Sequence, residues 1–388
     1  MARDIKAQTQ RLLQWFEMDA LPLWRARIID PCTGASFERL RADGAADTHA
    51  NVRVRVQARQ AFFFAAAKTC GWCDDGADVA QRLLAFTESH AAHPSAGGGF
   101  THLLNPEFEV IDFKQDLYDH AFFLLAYAWL YRVTGERIAL DKAEALIAHL
   151  DAHFCSEFGG WTEGDYGHVV RRQNPHMHLF EACMALYEAS GEAHWLARAD
   201  KLFGLFESHF FCPKREVLFE FFNADWTLAA GEAGQVVEPG HMMEWVWLLD
   251  WYARLSGQEV SHYTNTLYRR ALDLGLKTDS GLLYDSVTPG GQILQYSKRC
   301  WGLTELIKAS LVMARAGSAE AETRAANAVD TLFRYYLCAT TLGSYVDQRG
   351  KSDEVVVAEA PASTLYHLIV LAQELLRYCN ELPEQAEQ

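Results

Sequence analysis

Residues 115–154 read QDLYDHAFFLLAYAWLYRVTGERIALDKAEALIAHLDAHF. Hydrophobic spacing of the helical kind runs through both halves, over 115–134 and again over 137–154. Gly135, in Val-Thr-Gly-Glu, separates them at the position where a helix ends in a left-handed turn. The stretch is therefore a helical hairpin with a tight connection, and Phe122–Trp129 is core. The same punctuation returns at Gly191 in Ala-Ser-Gly-Glu, Gly257 in Leu-Ser-Gly-Gln and Gly317 in Arg-Ala-Gly-Ser.

Working outward, the periodicity predicts helices over 3–18, 52–71, 77–93, 115–134, 137–154, 175–190, 194–211, 241–256, 260–277, 297–316, 319–337 and 361–381. Hairpin-like β material is confined to connections such as 98–113 and 217–227. The first helices of successive hairpins begin near 52, 115, 175, 241, 297 and 361, a loose repeat of about 60 residues. Repeated helical hairpins either stack as an open solenoid or close into a ring. Closure is favoured here. There are six first helices, the sixth has no partner after it, and a spare amphipathic helix at the N-terminus can pair with it. The expected fold is all-α: a single (α/α)6 toroid over 1–388, with six inner helices, six outer ones and a cavity at one end.

Composition narrows the function. Half of the 388 residues are hydrophobic, 12% are aromatic and 22% are charged, which excludes a disordered chain. A net charge of −16 disfavours a nucleic-acid groove, which needs clustered Lys and Arg. No Pro/Gly/Ser linker interrupts the chain. The longest apolar run, Ala121–Tyr131, falls far short of the ~18–20 residues that span a bilayer. The N-terminus lacks an apolar leader core, so a cytoplasmic soluble protein is expected, with no membrane partner. Nine cysteines are widely spread, and Cys70/Cys73 form one CxxC with no second pair; most read as small buried hydrophobes.

Chemistry-bearing residues gather where the inner helices begin. The first carries Arg59 ahead of an apolar run. The second has Asp116, Tyr118 and His120; the third has Asn174, His176, His178 and Glu181. Glu238, His241 and Glu244 open the fourth, Trp301 and Glu305 the fifth, and Pro361-Ala-Ser-Thr-Leu-Tyr-His367 the sixth. Polar groups on otherwise apolar helices are costly unless satisfied, so six such groups at equivalent positions imply one site. Plainer readings stand beside this one. Asn174 before Pro175 suits an N-cap with Pro at the first helical position. His120 suits a satisfied core histidine, and His241 with Glu244 a structural pair one turn apart. His176 and His178 lie about 160–200° apart on a helix, so only one faces the cavity. His178 is preferred, because Glu181 lies one turn on along its face. Trp245 and Trp247 read as wall packing.

Taken together and in order, Gln-Ala-Arg, Asn-Pro-His-Met-His-Leu-x-Glu-Ala, Gly-His-x-x-Glu-Trp and Pro-Ala-Ser-Thr-x-Tyr-His resemble the N-acylglucosamine 2-epimerase superfamily. The match runs from about Arg53 to His367, and the motifs are most similar to its bacterial mannose isomerase branch. The resemblance implies the same toroid, and a sugar isomerase or epimerase that needs no metal or other cofactor. It implies a monosaccharide as substrate and a monomer or homodimer. The family's catalytic histidine pair falls on His241 and His367, and its site arginine on Arg59. Tyr118, His120, Asn174, His178, Glu244, Trp301 and Glu305 fall on positions that line the sugar pocket, and Glu181 joins them as the partner of His178. Two departures concern sugar recognition. Arg55 replaces an aromatic four residues before Arg59, and a Trp-Pro-Gln-x-Glu motif reads Trp301-Gly-Leu-Thr-Glu305.

The chemistry suits those residues. Moving a C2 proton to C1 through an enediol converts an aldose to a ketose, and returning it to the other face of C2 epimerises. Histidine, with an ordinary pKa of ~6.5, serves as acid or base, and Arg59 is a fixed charge for the enediolate oxygen. Glu244 can hold a histidine tautomer and Trp301 can stack on a sugar face. The favoured reaction is mannose to fructose, with 2-epimerisation of N-acylglucosamine/N-acylmannosamine or of mannose/glucose as the alternative. Rival readings are a metal-dependent isomerase using His178, His241, Glu244 and His367, an inverting glycosidase using two of Asp116, Glu181, Glu244 and Glu305, and a non-catalytic scaffold.

Overall fold

A computed structural model describes residues 4–95, 98–167 and 170–382. Helix α1 (Ile5–Trp15) continues through 16–20 into α2 (Leu21–Arg27). Five hairpins follow: α3 (Val54–Thr69) with α4 (Gly76–His90), α5 (Leu117–Thr134) with α6 (Arg137–His153), α7 (Gln173–Ser190) with α8 (Ala193–Leu205), α9 (Pro239–Ser256) with α10 (Ser261–Gly275), and α11 (Cys300–Arg315) with α12 (Ala319–Tyr335). Helix α13 (Leu365–Glu381) ends the described chain.

The odd-numbered helices from α3 to α13 contact one another in sequence, and α13 returns to α3. The ring is therefore closed, an (α/α)6 toroid. Helix α1 packs on α12 and α13, so the N-terminal helix supplies the missing outer element. Among the described residues all twelve expected helices are present, and α2 is the one additional α-helix.

Inner and outer helices differ as their sequences require. Helix α5 is buried from Leu117 to Ala128 except at Tyr118, whereas α12 buries one stripe: Ala321, Ala325, Ala326, Ala328, Val329 and Leu332. Gly135, Gly191 and Gly257 close α5, α7 and α9 with φ of 71°, 73° and 76°, a conformation that Gly adopts without a Cβ penalty.

Short β pairings fix where each inner helix starts, and most of these strands were not expected from sequence. The residues before an inner helix pair with the connection that follows the next outer helix. Val52–Arg53 joins Leu103–Leu104, and Arg171–Arg172 joins Phe221–Phe222. Lys298–Arg299 joins Gln348–Arg349, and bridges Asp116–Gly164 and Val237–Val287 complete the pattern. Ala360–Pro361 pairs with Arg39–Leu40, which brings the last repeat back onto the first. Every inner-helix N-terminus is thereby anchored at the same end of the ring.

Candidate active site

That end holds a cavity of about 610 Å³. Arginines stand immediately before alternate inner helices at Arg53, Arg172 and Arg299, and each is paired. Arg53 meets Glu38; Arg172 meets Glu163, and Asp116 at 3.1 Å; Arg299 meets Asp285 at 3.3 Å and Glu238 at 3.5 Å. The rim is thus a ring of compensated charge. Arg55, at the position of a family aromatic, is held by Asp119 at 2.8 Å and lies beside the Tyr118 ring.

Deeper in, Arg59 donates to the Tyr118 hydroxyl at 2.6 Å and to the Ser363 carbonyl at 3.1 Å, with its guanidinium 3.9 Å from the centre of the Phe122 ring. Among the described residues it has no carboxylate partner, and its Nε makes no hydrogen bond.

His241 and His367 face the cavity on either side of Trp301. Their rings lie 5.0 and 5.6 Å from the indole, tilted by 34° and 32°. Gly240 permits this arrangement, because a Cβ there would come within 2.6 Å of the Trp301 ring.

The two histidines have opposite electrostatic surroundings. His241 Nδ1 lies 2.9 Å from Glu220 and 3.5 Å from Glu238. Burial alone would lower its pKa, but the Glu220 and Glu238 charges prevail and raise it to about 10. His241 is therefore an imidazolium at neutral pH. His367 Nδ1 lies 2.9 Å from Glu305. That carboxylate is shared with Lys308, whose Nζ lies 2.7 Å away in a fully buried ion pair. Burial, aided by the Arg59 and Lys308 charges, outweighs Glu305 and pushes His367 down to about 3. It is a neutral imidazole, with Nδ1–H donated to Glu305 and Nε2 left for the cavity.

His178 is likewise held neutral: burial and then the Arg59 charge move its pKa well below the usual value. Its Nδ1 meets Glu181 at 3.0 Å. Burial, and then the nearby Glu305 charge, raises the Glu244 carboxyl well above the ordinary range.

Arg59, Tyr118, Asn174, His178, His241, Glu244, Trp301 and His367 line the cavity together; three expected residues do not. His120 is a satisfied core histidine. Its Nδ1 meets the Asp116 carbonyl at 2.7 Å and its Nε2 accepts the Phe100 amide at 2.9 Å, which leaves no ring nitrogen for a sugar. His176, on α7, is engaged in the same way by Arg172 and Trp161. Glu181 and Glu305 lie behind His178 and His367, so their carboxylates orient imidazoles instead of meeting a ligand.

Two roles also change. Asn174 is not an N-cap: the pairing of Arg171–Arg172 starts α7 two residues earlier, with Arg172 at the cap, and Asn174 Oδ1 has no hydrogen-bond partner among the described residues. Glu244 holds no histidine; both its oxygens are buried without a hydrogen-bond partner among the described residues. Glu220 holds the His241 imidazolium and Glu305 the His367 tautomer instead.

Glu220 was missed, yet it carried a signal. It is a lone acid in Val-Leu-Phe-Glu-Phe-Phe (217–222), and a buried carboxylate there needs a partner. Lys308, a lysine within an apolar inner helix, is a second such signal.

The rival arrangements fare differently. Two groups of the site have metal-like spacing, Glu220/Glu238/His241 and Glu244/Glu305/His367, and neither contains His178. In each the balancing positive charge is already present, as the His241 imidazolium or as Lys308. The glycosidase candidates do not converge as two free carboxylates. Asp116 caps α5 and binds Arg172 and Tyr166, Glu181 is hydrogen-bonded to Tyr366, and Glu305 is ion-paired. Cys70 and Cys73 are free thiols; burial raises Cys73 to about 11, which suits a structural role. Among the described residues no helix is long and apolar enough to cross a membrane.

A sequence profile described as N-acylglucosamine 2-epimerase (GlcNAc 2-epimerase) matches residues 35–371. A Rhizobium meliloti protein named mannose-6-phosphate isomerase is 33% identical over 383 residues, covering 97% of this chain and 98% of that one. Among solved structures, the cellobiose 2-epimerase of Bacillus thermoamylovorans superposes with a TM-score of 0.86 at 19% identity, covering 96% of this chain and all of that one. A D-mannose isomerase superposes with a TM-score of 0.81 at 20% identity, covering 96% of this chain and 97% of the other.

Proposed function

The chain belongs to the N-acylglucosamine 2-epimerase family, a family of sugar epimerases and isomerases, and from that premise we propose that it is an aldose–ketose isomerase converting D-mannose to D-fructose. The observation that carries this reading is the unequal charging of the two histidines. Epimerisation at C2 needs a proton acceptor on one face of the sugar and a donor on the other, with the two roles exchanged in the reverse reaction. Here His241 is locked as a cation between Glu220 and Glu238, and of these two histidines it is His367 that is free to accept. A single base on one face suits transfer from C2 to C1.

In the open-chain aldose, Nε2 of His367 takes the C2 proton while the C2–H electrons form the enediolate. Glu305 keeps the opposite nitrogen protonated and steadies the imidazolium that results. His241 donates towards the carbonyl oxygen, and Arg59 balances the developing oxyanion. His367 then returns the proton to C1 as the O2–H proton passes to His241, so that the C2 carbonyl forms, O1 keeps the proton it received and His241 regains its charge. Trp301, between the histidines, offers a flat face for the sugar backbone. Acid–base help of this kind contributes roughly 10²–10⁴-fold.

The relative named mannose-6-phosphate isomerase raises the phosphorylated sugar as a second substrate. The compensated rim supports the neutral one, since Arg53, Arg55, Arg172 and Arg299 already hold carboxylates. Incubation in D₂O with mannose, mannose 6-phosphate, glucose and N-acetylmannosamine separately, followed by NMR, tests the proposal. Fructose from mannose is expected, and glucose as the first product would overturn isomerisation in favour of epimerisation. His367→Ala is expected to lower turnover at least 10²-fold with the fold intact, and near-normal turnover would remove His367 from the mechanism.

A further inference from the structure

The toroid has a second cavity, of about 460 Å³, at the opposite mouth. Its rim is exposed and carries Arg132, Glu188, Arg254 and Asn380. The partition between the two cavities is thin. Arg59, His178, Glu244 and His367 line the catalytic side; three residues further on, Phe62, Glu181, Trp247 and Val370 line the far side. At 1.5 Å per residue, a rise of about 4.5 Å along the inner helices separates them. Three members of that far layer are apolar or aromatic. Glu181 alone among the four is ionisable, and its carboxylate bridges the partition, 3.0 Å from His178 Nδ1 and 2.5 Å from the Tyr366 hydroxyl.

We propose that Glu181 is a positioning and relay residue for sugar ring opening, exchanging one proton with Nδ1 of His178 from behind the catalytic cavity. When Glu181 is ionised, His178 donates Nδ1–H to it and presents a bare Nε2 to the sugar. When Glu181 is protonated, it donates to Nδ1 and His178 presents Nε2–H. The carboxylate thereby chooses whether the same imidazole accepts or donates.

Ring opening uses both forms in turn. The anomeric O1–H bond breaks and its proton goes to Nε2, while the Nδ1 proton passes to Glu181. The C1–O5 bond then breaks as the C1=O1 bond forms. O5 takes the Nε2 proton, and Glu181 returns its proton to Nδ1. No proton is gained or lost overall, and His178 remains neutral, as its burial beside Arg59 requires.

The charges around Glu181 suit the role. Burial raises its carboxyl, while the Tyr366 hydroxyl, Lys308 and His367 act against that and Glu305 adds to it, leaving the group at about 7. Arg59 on α3 and Glu244 on α9 face the same partition, while α5 contributes the Phe122 ring against His178.

The proposal rests on a cyclic sugar as substrate, so the first test omits sugar. With ¹⁵N-labelled histidine, and His178 assigned by its loss in His178→Gln, the ring nitrogens report the tautomer directly. His178 is expected to pass from Nδ1–H to Nε2–H as pH falls through about 7, and to be fixed at all pH values in Glu181→Gln. A tautomer that ignores pH in the unaltered protein overturns the relay. The second test follows anomer exchange of mannose by NMR. Glu181→Gln is expected to slow catalysed exchange at least tenfold, change KM less than threefold and lose the pH dependence near 7. An equal loss at every pH would show packing alone and overturn the relay. A tautomer that switches in a protein that turns over no sugar would sink the proposed isomerase activity and leave the relay standing.

Discussion

Replacing Glu220 by Gln isolates what holds His241 charged. Gln is close in shape and keeps an oxygen for the 2.9 Å contact at Nδ1, but removes the negative charge. Two unit charges about 4 Å apart at an effective dielectric of about 20 interact by about 4 kcal/mol, or about 3 pKa units. His241 starts at about 10 and keeps Glu238, so it should fall to about 7. At pH 8 about nine-tenths of the variant would then lack the acid, against about one-hundredth of the unaltered protein.

The assay is kcat/KM for mannose from pH 5.5 to 10. The alkaline limb is expected to move from near 10 to near 7, with rates at pH 6 within a factor of about three. The same charge should show in stability. A histidine with a raised folded pKa stabilises the fold fully below its unfolded value of ~6.5, and that contribution fades as pH rises towards about 10. In Glu220→Gln it should fade by about 7. An alkaline limb that stays in place while the rate drops uniformly would refute the assignment of Glu220 as the charge that keeps His241 protonated.

Three further outcomes follow from the packing and the buried charges. Gly240→Ala drives a Cβ into the Trp301 ring and should lower kcat/KM about tenfold, with unchanged far-ultraviolet circular dichroism; an unchanged kcat/KM would mean that Trp301 does not organise the histidines. Lys308→Met leaves Glu305 buried without its cation and should cost about 3–5 kcal/mol in urea unfolding, whereas a loss under 1 kcal/mol would deny the ion pair that weight. His176 and His367, each held near 3, are neutral when folded but protonate below ~6.5 when unfolded. The unfolded state binds more protons there, so stability should fall with pH, by about 2 kcal/mol for each between pH 6.5 and 5, read from urea midpoints at the two pH values.

How much of this was legible depended on where the physical constraint lay along the chain. The toroid was legible because it is local arithmetic: helical spacing, glycine at each turn, and six hairpins whose last needs the first helix as a partner. The cavity-facing residues were legible in part, because a polar group on an apolar helix must be satisfied somewhere. That same rule cannot say by what. His120 and His178 look alike in sequence, each a histidine in the opening turns of an inner helix. What separates them is a backbone amide, Phe100 N, delivered from a connection 20 residues upstream. Among the described residues His178 meets no such amide, and it receives Glu181 from its own helix instead. Asn174 failed for a related reason, since its pattern suits a cap, but the strand pairing with Phe221–Phe222 moves the helix start by two residues. The unequal charging of His241 and His367 was not legible from the motifs, which treat the two histidines as a pair. At His241 it arises from Glu220, in a hairpin before α9, and from Glu238; at His367 it arises from burial, then from the Arg59 and Lys308 charges. The carboxylates that keep His241 charged, Glu220 and Glu238, are therefore carried outside the motif positions. Chains with the same pair of histidines but different carboxylates behind them should divide between isomerisation and epimerisation accordingly.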